Sequence, residues 1–199
     1  VPCSVGTYHV SIGQTSFDDA DAGYFVNQTA QSAQIPCPVG TYQASTGQTS
    51  CNDADAGYFV NQASQSAQIP CSVGTYQVST GQTSCNDADA GYFVNQPSQS
   101  AQIPCSVGTY QASIGQTSCD DADSGFYVDS SLGTAQTNQT PCQAGKYNSN
   151  NGSVTPADCV SASAGYFVSQ TGQSAQIPCF VGTYQASIGQ TSCNDADAG

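Results

Sequence analysis

Cysteine is the residue type with the clearest chemical potential in this sequence. Eleven cysteines recur at regular spacing among 199 residues, of which only 38% are hydrophobic. Zinc sites built on cysteine need close pairs such as Cys-x-x-Cys, and the sequence contains none. Regular cysteines in a chain with so little apolar bulk predict instead a disulfide framework, formed in an oxidising compartment outside the cytosol.

Aspartate is the second residue type that could do chemistry. Twelve of the fourteen acidic residues lie in copies of the motif [N/D]-D-A-D-[A/S]-G. Alternating carboxylates before a glycine can supply the oxygen ligands of Ca²⁺. The copy at residues 160–165 has no acid, however, and the chain has no glutamate to close an EF-hand loop. We therefore expect a turn-forming role, at most weak calcium binding and no other cofactor. The candidate ligands are Asp53, Asp55, Asp87 and Asp89.

These residues are carried by a tandem repeat. Residues 37–70 recur almost unchanged at residues 71–104, and self-similarity at a fixed period is the signature of a repeat architecture. The fourth and fifth units each gain three residues, within 128–140 and 148–158, which we expect to form loops. The predicted units are 1–36, 37–70, 71–104, 105–141, 142–178 and 179–199.

Each unit is itself doubled, with a second register of 17 residues. In that register Cys37 aligns with Ala54 and Cys51 with Gln68, so both cysteines are missing together from the second half. Two connectivities fit the spacing: bonds within the Cys-bearing half, as in Cys37–Cys51, or bonds across the Cys-free half, as in Cys51–Cys71. The paired loss favours the first, because it leaves no orphan thiol.

The Cys-bearing half carries the motif C-x-V-G-T-Y-x-x-S-x-G-Q-T-S-C. It resembles the ephrin-receptor-like cysteine-rich repeat, a relative of tumour-necrosis-factor-receptor modules. In that family a Cys-x-x-Gly-Thr-Tyr opening leads to a short hairpin that a disulfide closes. The alternation with a Cys-free half is more similar to the long surface-protein arrays of microbes. The resemblance implies the bonds Cys37–Cys51, Cys71–Cys85, Cys105–Cys119, Cys142–Cys159 and Cys179–Cys193.

The first unit departs from this pattern. Phe17 stands where the second cysteine is expected, which leaves Cys3 unpaired. We expect Cys3 to be a free buried thiol or to be joined to another chain. The ring of Phe17 would then fill the space of the lost sulfur.

The pattern of turn residues predicts an all-β fold of small disulfide-rich tandem repeats. Short hairpins would stack into an elongated rod or solenoid-like array. Within the second unit we predict strands at 39–44 and 49–51 around a turn in which Gly47 takes positive φ, a turn at 52–57 and a strand at 58–60. Apolar residues show no helical period. We assign Tyr42, Tyr58 and Phe59 to a small core stacked from rung to rung rather than to a ligand platform.

Composition excludes several classes of function. A net charge of −13 with one basic residue leaves no patch to neutralise phosphates, so we expect no binding to nucleic acid. No apolar run is long enough to span a membrane. The single histidine, His9, stands where other units carry Gln43 and its copies, so no Ser-His-Asp or Cys-His set can be assembled. We predict that the protein is not an enzyme.

Near-identity of successive units predicts a structural role. A fibre, stalk or surface appendage outside the cell needs many equal repeats, and its partners would be neighbouring copies of itself. The alternative is an adhesion or receptor-type module that binds a protein or glycan, most plausibly through residues 105–176. Covalent glycans are a further expectation, since N-glycosylation sequons occur at Asn27, Asn138 and Asn151.

Overall fold

Very short antiparallel strands make up the regular structure of the chain. The computed structural model describes residues 3–10 and 16–196. Within these residues, strands of two residues each pair into eleven two-stranded hairpins, and helix is limited to two single turns. The predicted all-β fold of tandem disulfide-rich hairpins is therefore confirmed.

Each half of a unit contributes one hairpin. In the Cys-bearing halves the pairs are Thr7–Tyr8 with Asp18–Asp19, Thr41–Tyr42 with Asn52–Asp53, Thr75–Tyr76 with Asn86–Asp87, Thr109–Tyr110 with Asp120–Asp121, Lys146–Tyr147 with Val160–Ser161, and Thr183–Tyr184 with Asn194–Asp195. In the Cys-free halves they are Tyr24–Phe25 with Ile35–Pro36, Tyr58–Phe59 with Ile69–Pro70, Tyr92–Phe93 with Ile103–Pro104, Phe126–Tyr127 with Thr140–Pro141, and Tyr166–Phe167 with Ile177–Pro178. The 3₁₀ turns Ser130–Leu132 and Pro156–Asp158 lie in the two insertions.

The return strand of the Cys-bearing hairpin lies later than the sequence predicted. We expected it at residues 49–51, but Asn52–Asp53 forms it, with Asn52 opposite Tyr42 and Asp53 opposite Thr41. Asn and Asp favour turns in isolation because their side chains bond nearby backbone. Here the pairing with Thr41–Tyr42 overrides that preference. Gly47 has a φ of +68°, as predicted.

Backbone hydrogen bonds tie each half to the next. The chain divides into two compact units, residues 1–88 with 94–102 and residues 89–93 with 103–199. In the first, the Gly40 N–H donates to the Val60 carbonyl at 2.7 Å, and the Val60 N–H donates to the Gln82 carbonyl at 2.9 Å. In the second, the Val168 N–H bonds the Gln190 carbonyl in the same way at 3.0 Å. A half-unit therefore completes its hydrogen bonding only with its neighbours, as in other stacked repeats.

Small residues, not aromatic ones, form the core. The first position of each half alternates between Cys and Ala, and both Cys37 and Ala54 are fully buried. Val60 and its copies in the other Cys-free halves are also fully buried. Tyr42 and Phe59 are only half-buried, so their assignment to the core was wrong. Cys, Ala and Val side chains take the fully buried positions instead.

A glutamine takes the place of this valine in four of the six Cys-bearing halves. Gln43 is 6% exposed, as are Gln77 and Gln111. Its side-chain Nε2 donates to the Ser50 carbonyl at 2.8 Å, and its Oε1 accepts from the Ser45 N–H at 3.1 Å. Both halves of the buried amide are thus satisfied by the backbone of the loop that it closes, which is the condition for burying a polar group at low cost.

Candidate functional sites along the repeat

Five disulfides close the hairpins of the Cys-bearing halves. The structure joins Cys37 to Cys51 with the Cα atoms 5.8 Å apart, and the fifth unit spans its longer loop with Cα atoms 5.6 Å apart. This is the within-half connectivity, and no bond crosses a Cys-free half in the described part of the chain. The bonds are Cys37–Cys51, Cys71–Cys85, Cys105–Cys119, Cys142–Cys159 and Cys179–Cys193.

The first unit retains its rung without a disulfide. Cys3 is a free cysteine, and it is buried, with its thiol 3.6 Å from the carbonyl oxygen of Gln31. Phe17 is 37% exposed and its ring centroid lies 6.0 Å from that of His9. The Nδ1 atom of His9 is buried and, within the described residues, has no hydrogen-bond partner. Occupation of the lost sulfur's space by Phe17 stays a prediction.

The second aspartate of the acidic motif is hydrogen-bonded by a glutamine that was not identified from the sequence. The Gln68 side chain accepts from the Asp55 N–H at 2.6 Å and donates to the Asp55 carboxylate at 2.7 Å. Gln34 holds Asp21 in the same way. The recurrence of a glutamine thirteen residues after this aspartate was a signal in the sequence.

This pairing gives the acidic motif a structural role. In the fifth unit Ser163 replaces the aspartate, and its N–H still donates to the Gln176 side chain at 2.7 Å. Only the bond to the carboxylate is lost, so the turn tolerates the acid-free copy. In the described part of the chain, no group of three or more Asp, Glu, His or Cys side chains is placed to hold a metal ion. Weak calcium binding at Asp53 and Asp55, or at Asp87 and Asp89, stays a prediction.

Two aspartates in the insertions have lowered pKa values. Hydrogen bonds from the Ser131 side chain and N–H lower the pKa of Asp129. The N–H groups of Thr155 and Val154 donate to the Asp158 carboxylate at 2.9 and 3.0 Å, and they lower the pKa of Asp158. Both carboxylates stabilise local turns because the charged form is the better acceptor.

Asp158→Asn is expected to destabilise the loop of the fifth unit at neutral pH, by about 1 kcal/mol as for a lost capping side chain. Because the folded pKa of Asp158 lies below its unfolded value of about 3.9, its contribution is present above that value. The contribution is lost as pH falls through the folded pKa. Amide hydrogen exchange of Val154 and Thr155, followed from neutral to acid pH, measures it.

The matched control for this titration is Asp53→Asn, which removes the same charge from a strand. The loop amides of Asp158→Asn should exchange faster than in the parent protein at neutral pH and at the same rate in strong acid. A difference that persists unchanged at low pH would contradict the carboxylate's role. An identical effect of Asp53→Asn would show that net charge, and not the two hydrogen bonds, is responsible.

The three sequon asparagines are accessible. Asn27, Asn138 and Asn151 are all exposed, and Asn151 lies in the hairpin loop that the fifth unit's insertion lengthens. Ser153, the hydroxyl-bearing residue of that last sequon, is 8% exposed. Attachment of a glycan at any of the three stays a prediction.

Comparison with known proteins gives no assignment: no protein-family model matches this chain, and no curated protein does. Among the described residues, no helix is long and apolar enough to cross a membrane. Repeated disulfide-closed hairpins with many equivalent rungs suit a structural or binding repeat module.

Proposed function

We propose that the protein is a structural component of an extracellular fibre, stalk or cell-surface appendage, in which tandem repeats set length. The observation that carries this proposal is the equivalence of the rungs. The same amide of one rung donates to the same valine carbonyl of the next in four units, from Gly6, Gly40, Gly74 and Gly145 to Val26, Val60, Val94 and Val168. Equal rungs supply length and stiffness, whereas recognition of one ligand needs a distinctive rung.

The disulfide bonds of the hairpins support the same structural role. Five hairpins carry disulfides, and such bonds persist in oxidising surroundings outside the cell. Units that bury only small residues depend on these bonds and on their neighbours. The proposed resemblance to ephrin-receptor-like cysteine-rich repeats agrees with an extracellular location, since that family serves in binding surfaces and spacers alike.

Electron microscopy of the native material tests the proposal. Fibres whose axial periodicity matches a multiple of the unit, decorated along their length by an antibody to residues 37–70, are the expected result. Labelling at one end only, or single particles that capture a protein or glycan, would favour the adhesion module instead. A preparation without fibres, in which the antibody labels only soluble monomers, would contradict the structural role.

A further inference from the structure

The single lysine of the chain lines a cleft that residues of the fourth and fifth units form together. The cleft has a volume of about 180 Å³. Tyr127, Pro141 and Pro156 contribute apolar surface, and Gln143 and Lys146 contribute polar groups. A concave apolar site with a few convergent polar groups is the usual form of a small-molecule site. This volume lies below the roughly 300–1,000 Å³ of pockets for drug-sized molecules, so it suits a single small ring.

The residue opposite Lys146 in its hairpin carries no negative charge. Lys146 lies opposite Ser161 across the strand pair. The other Cys-bearing hairpins pair threonine with aspartate at this place, as Thr75 does with Asp87. An opposite charge across the strand would stabilise the pair. The fifth unit has Ser161 in place of that aspartate, so no carboxylate lies opposite Lys146 in the hairpin.

The carboxylates of its own unit and of the preceding insertion are already engaged in hydrogen bonds. Asp158, the only acidic residue of residues 142–178, accepts from two backbone N–H groups. Asp129 accepts from the N–H and the hydroxyl of Ser131. In the described part of the chain Lys146 has no ion pair. Its unit has a formal charge of zero in a chain of net charge −13, whereas the fourth unit, which supplies Tyr127 and Pro141, has four aspartates. An anion is therefore favoured only close to the Lys146 ammonium.

We propose that this cleft binds the carboxylate of an acidic sugar, with the sugar ring against Tyr127 and the two prolines. The Lys146 ammonium would pair with the carboxylate in a charge-assisted hydrogen bond. The Gln143 amide would bond a ring hydroxyl or N-acetyl group. Two sources of this chemistry are terminal sialic acid and uronic acid, and they share the carboxylate that the lysine recognises.

A matched cleft, which lies at the corresponding place in the first compact unit and has a larger volume of about 490 Å³, provides an internal control. Phe59, Pro70 and Thr75 line its counterpart in the first compact unit. Threonine stands there at the position of Lys146, opposite Asp87. This cleft offers apolar surface without a cation, so it is expected to show no preference for acidic sugars. Since Thr75 stands at the position of Lys146, the substitution Lys146→Thr is one that the hairpin tolerates.

Titration of the 199-residue chain by NMR tests the proposal, with N-acetylneuraminic acid and glucuronic acid as probes and galactose and acetate as controls. The expected result is saturable shifts of the Tyr127 and Lys146 signals with at least one acidic sugar, weakened at high salt. Galactose and acetate should bind at least tenfold more weakly. Lys146→Thr should reduce binding of the acidic sugar at least tenfold, and the double variant Thr75→Lys with Asp87→Ser should gain it at the matched cleft.

Three outcomes would overturn this assignment. Acidic sugars that leave the Tyr127 and Lys146 signals unchanged exclude the site. Equal binding of acetate shows a general ion pair without sugar recognition. Shifts of the same signals on raising the protein concentration alone identify carboxylates of a second copy as the occupant.

Discussion

Gly57→Ala is expected to destabilise the stacked hairpins by about 3 kcal/mol or more, whereas Gly47→Ala should cost only about 1–2 kcal/mol. Both glycines have a positive φ, +85° at Gly57 and +68° at Gly47. Alanine at either position carries the cost of positive φ. The two positions therefore share their local strain.

They differ in what a side chain would meet. A Cβ atom at Gly57 would run into the carbonyl group of Ser98, a backbone group that is fixed by the next Cys-free rung. At Gly47 a Cβ atom would make only an ordinary van der Waals contact, with the Asp19 side chain at 3.5 Å. Overpacking against backbone cannot be relieved by a rotamer change, so the rungs must separate. The difference between the two variants measures the closeness of the stacking.

Urea unfolding and amide hydrogen exchange check this prediction. In Gly57→Ala the amides that join neighbouring rungs, such as that of Val60, should exchange faster, while in Gly47→Ala the effect should stay near the substitution. Equal losses of stability in the two variants would show that positive φ alone requires glycine. The close approach of rungs would then have no part in stability.

The repeat made the class of fold predictable but not its core. Hairpins followed from the turn residues between short β-favouring segments. The buried position of Gln43 did not, because glutamine is mostly exposed in proteins and its burial depends on loop carbonyls that only the fold brings near. The alignment of Gln43 with Val60 in the 17-residue register was a usable signal. It shows that one structural position accepts a valine or an internally bonded amide.

The candidate sites were likewise only partly predictable from the sequence. The joint absence of two cysteines in the second half favoured disulfides within the Cys-bearing half, and the resemblance to ephrin-receptor-like repeats implied the full set of partners. The pairing of Asp55 with Gln68 did not follow, because it depends on how the turn folds back on residues thirteen positions away. For the same reason the exposure of Tyr42 and Phe59 was misjudged. Composition shows how few apolar residues there are, but not which of them lie between rungs.

Removal of one disulfide is expected to cost about 3 kcal/mol, the chain-entropy value for a loop of about 15 residues. The double variant Cys71→Ala with Cys85→Gln tests this with the least disturbance of packing, because the Cys-free half has Ala and Gln at the corresponding positions. Cys71 is fully buried, and Ala54 and Ala88 are fully buried at the equivalent place. The substitution therefore removes the covalent bond with little misfit, and only the hydrogen bonds near this rung should weaken.

Complete reduction is expected to unfold the chain. Five bonds at about 3 kcal/mol each give about 15 kcal/mol, at the upper end of the whole stability of a typical domain. Circular dichroism should show loss of the native signal on reduction at neutral pH. Alkylation in denaturant should label one thiol before reduction, that of Cys3, and eleven afterwards. A peptide joining Cys51 to Cys71, recovered by proteolysis without reduction, would contradict the connectivity and with it the assignment of each disulfide to a single hairpin.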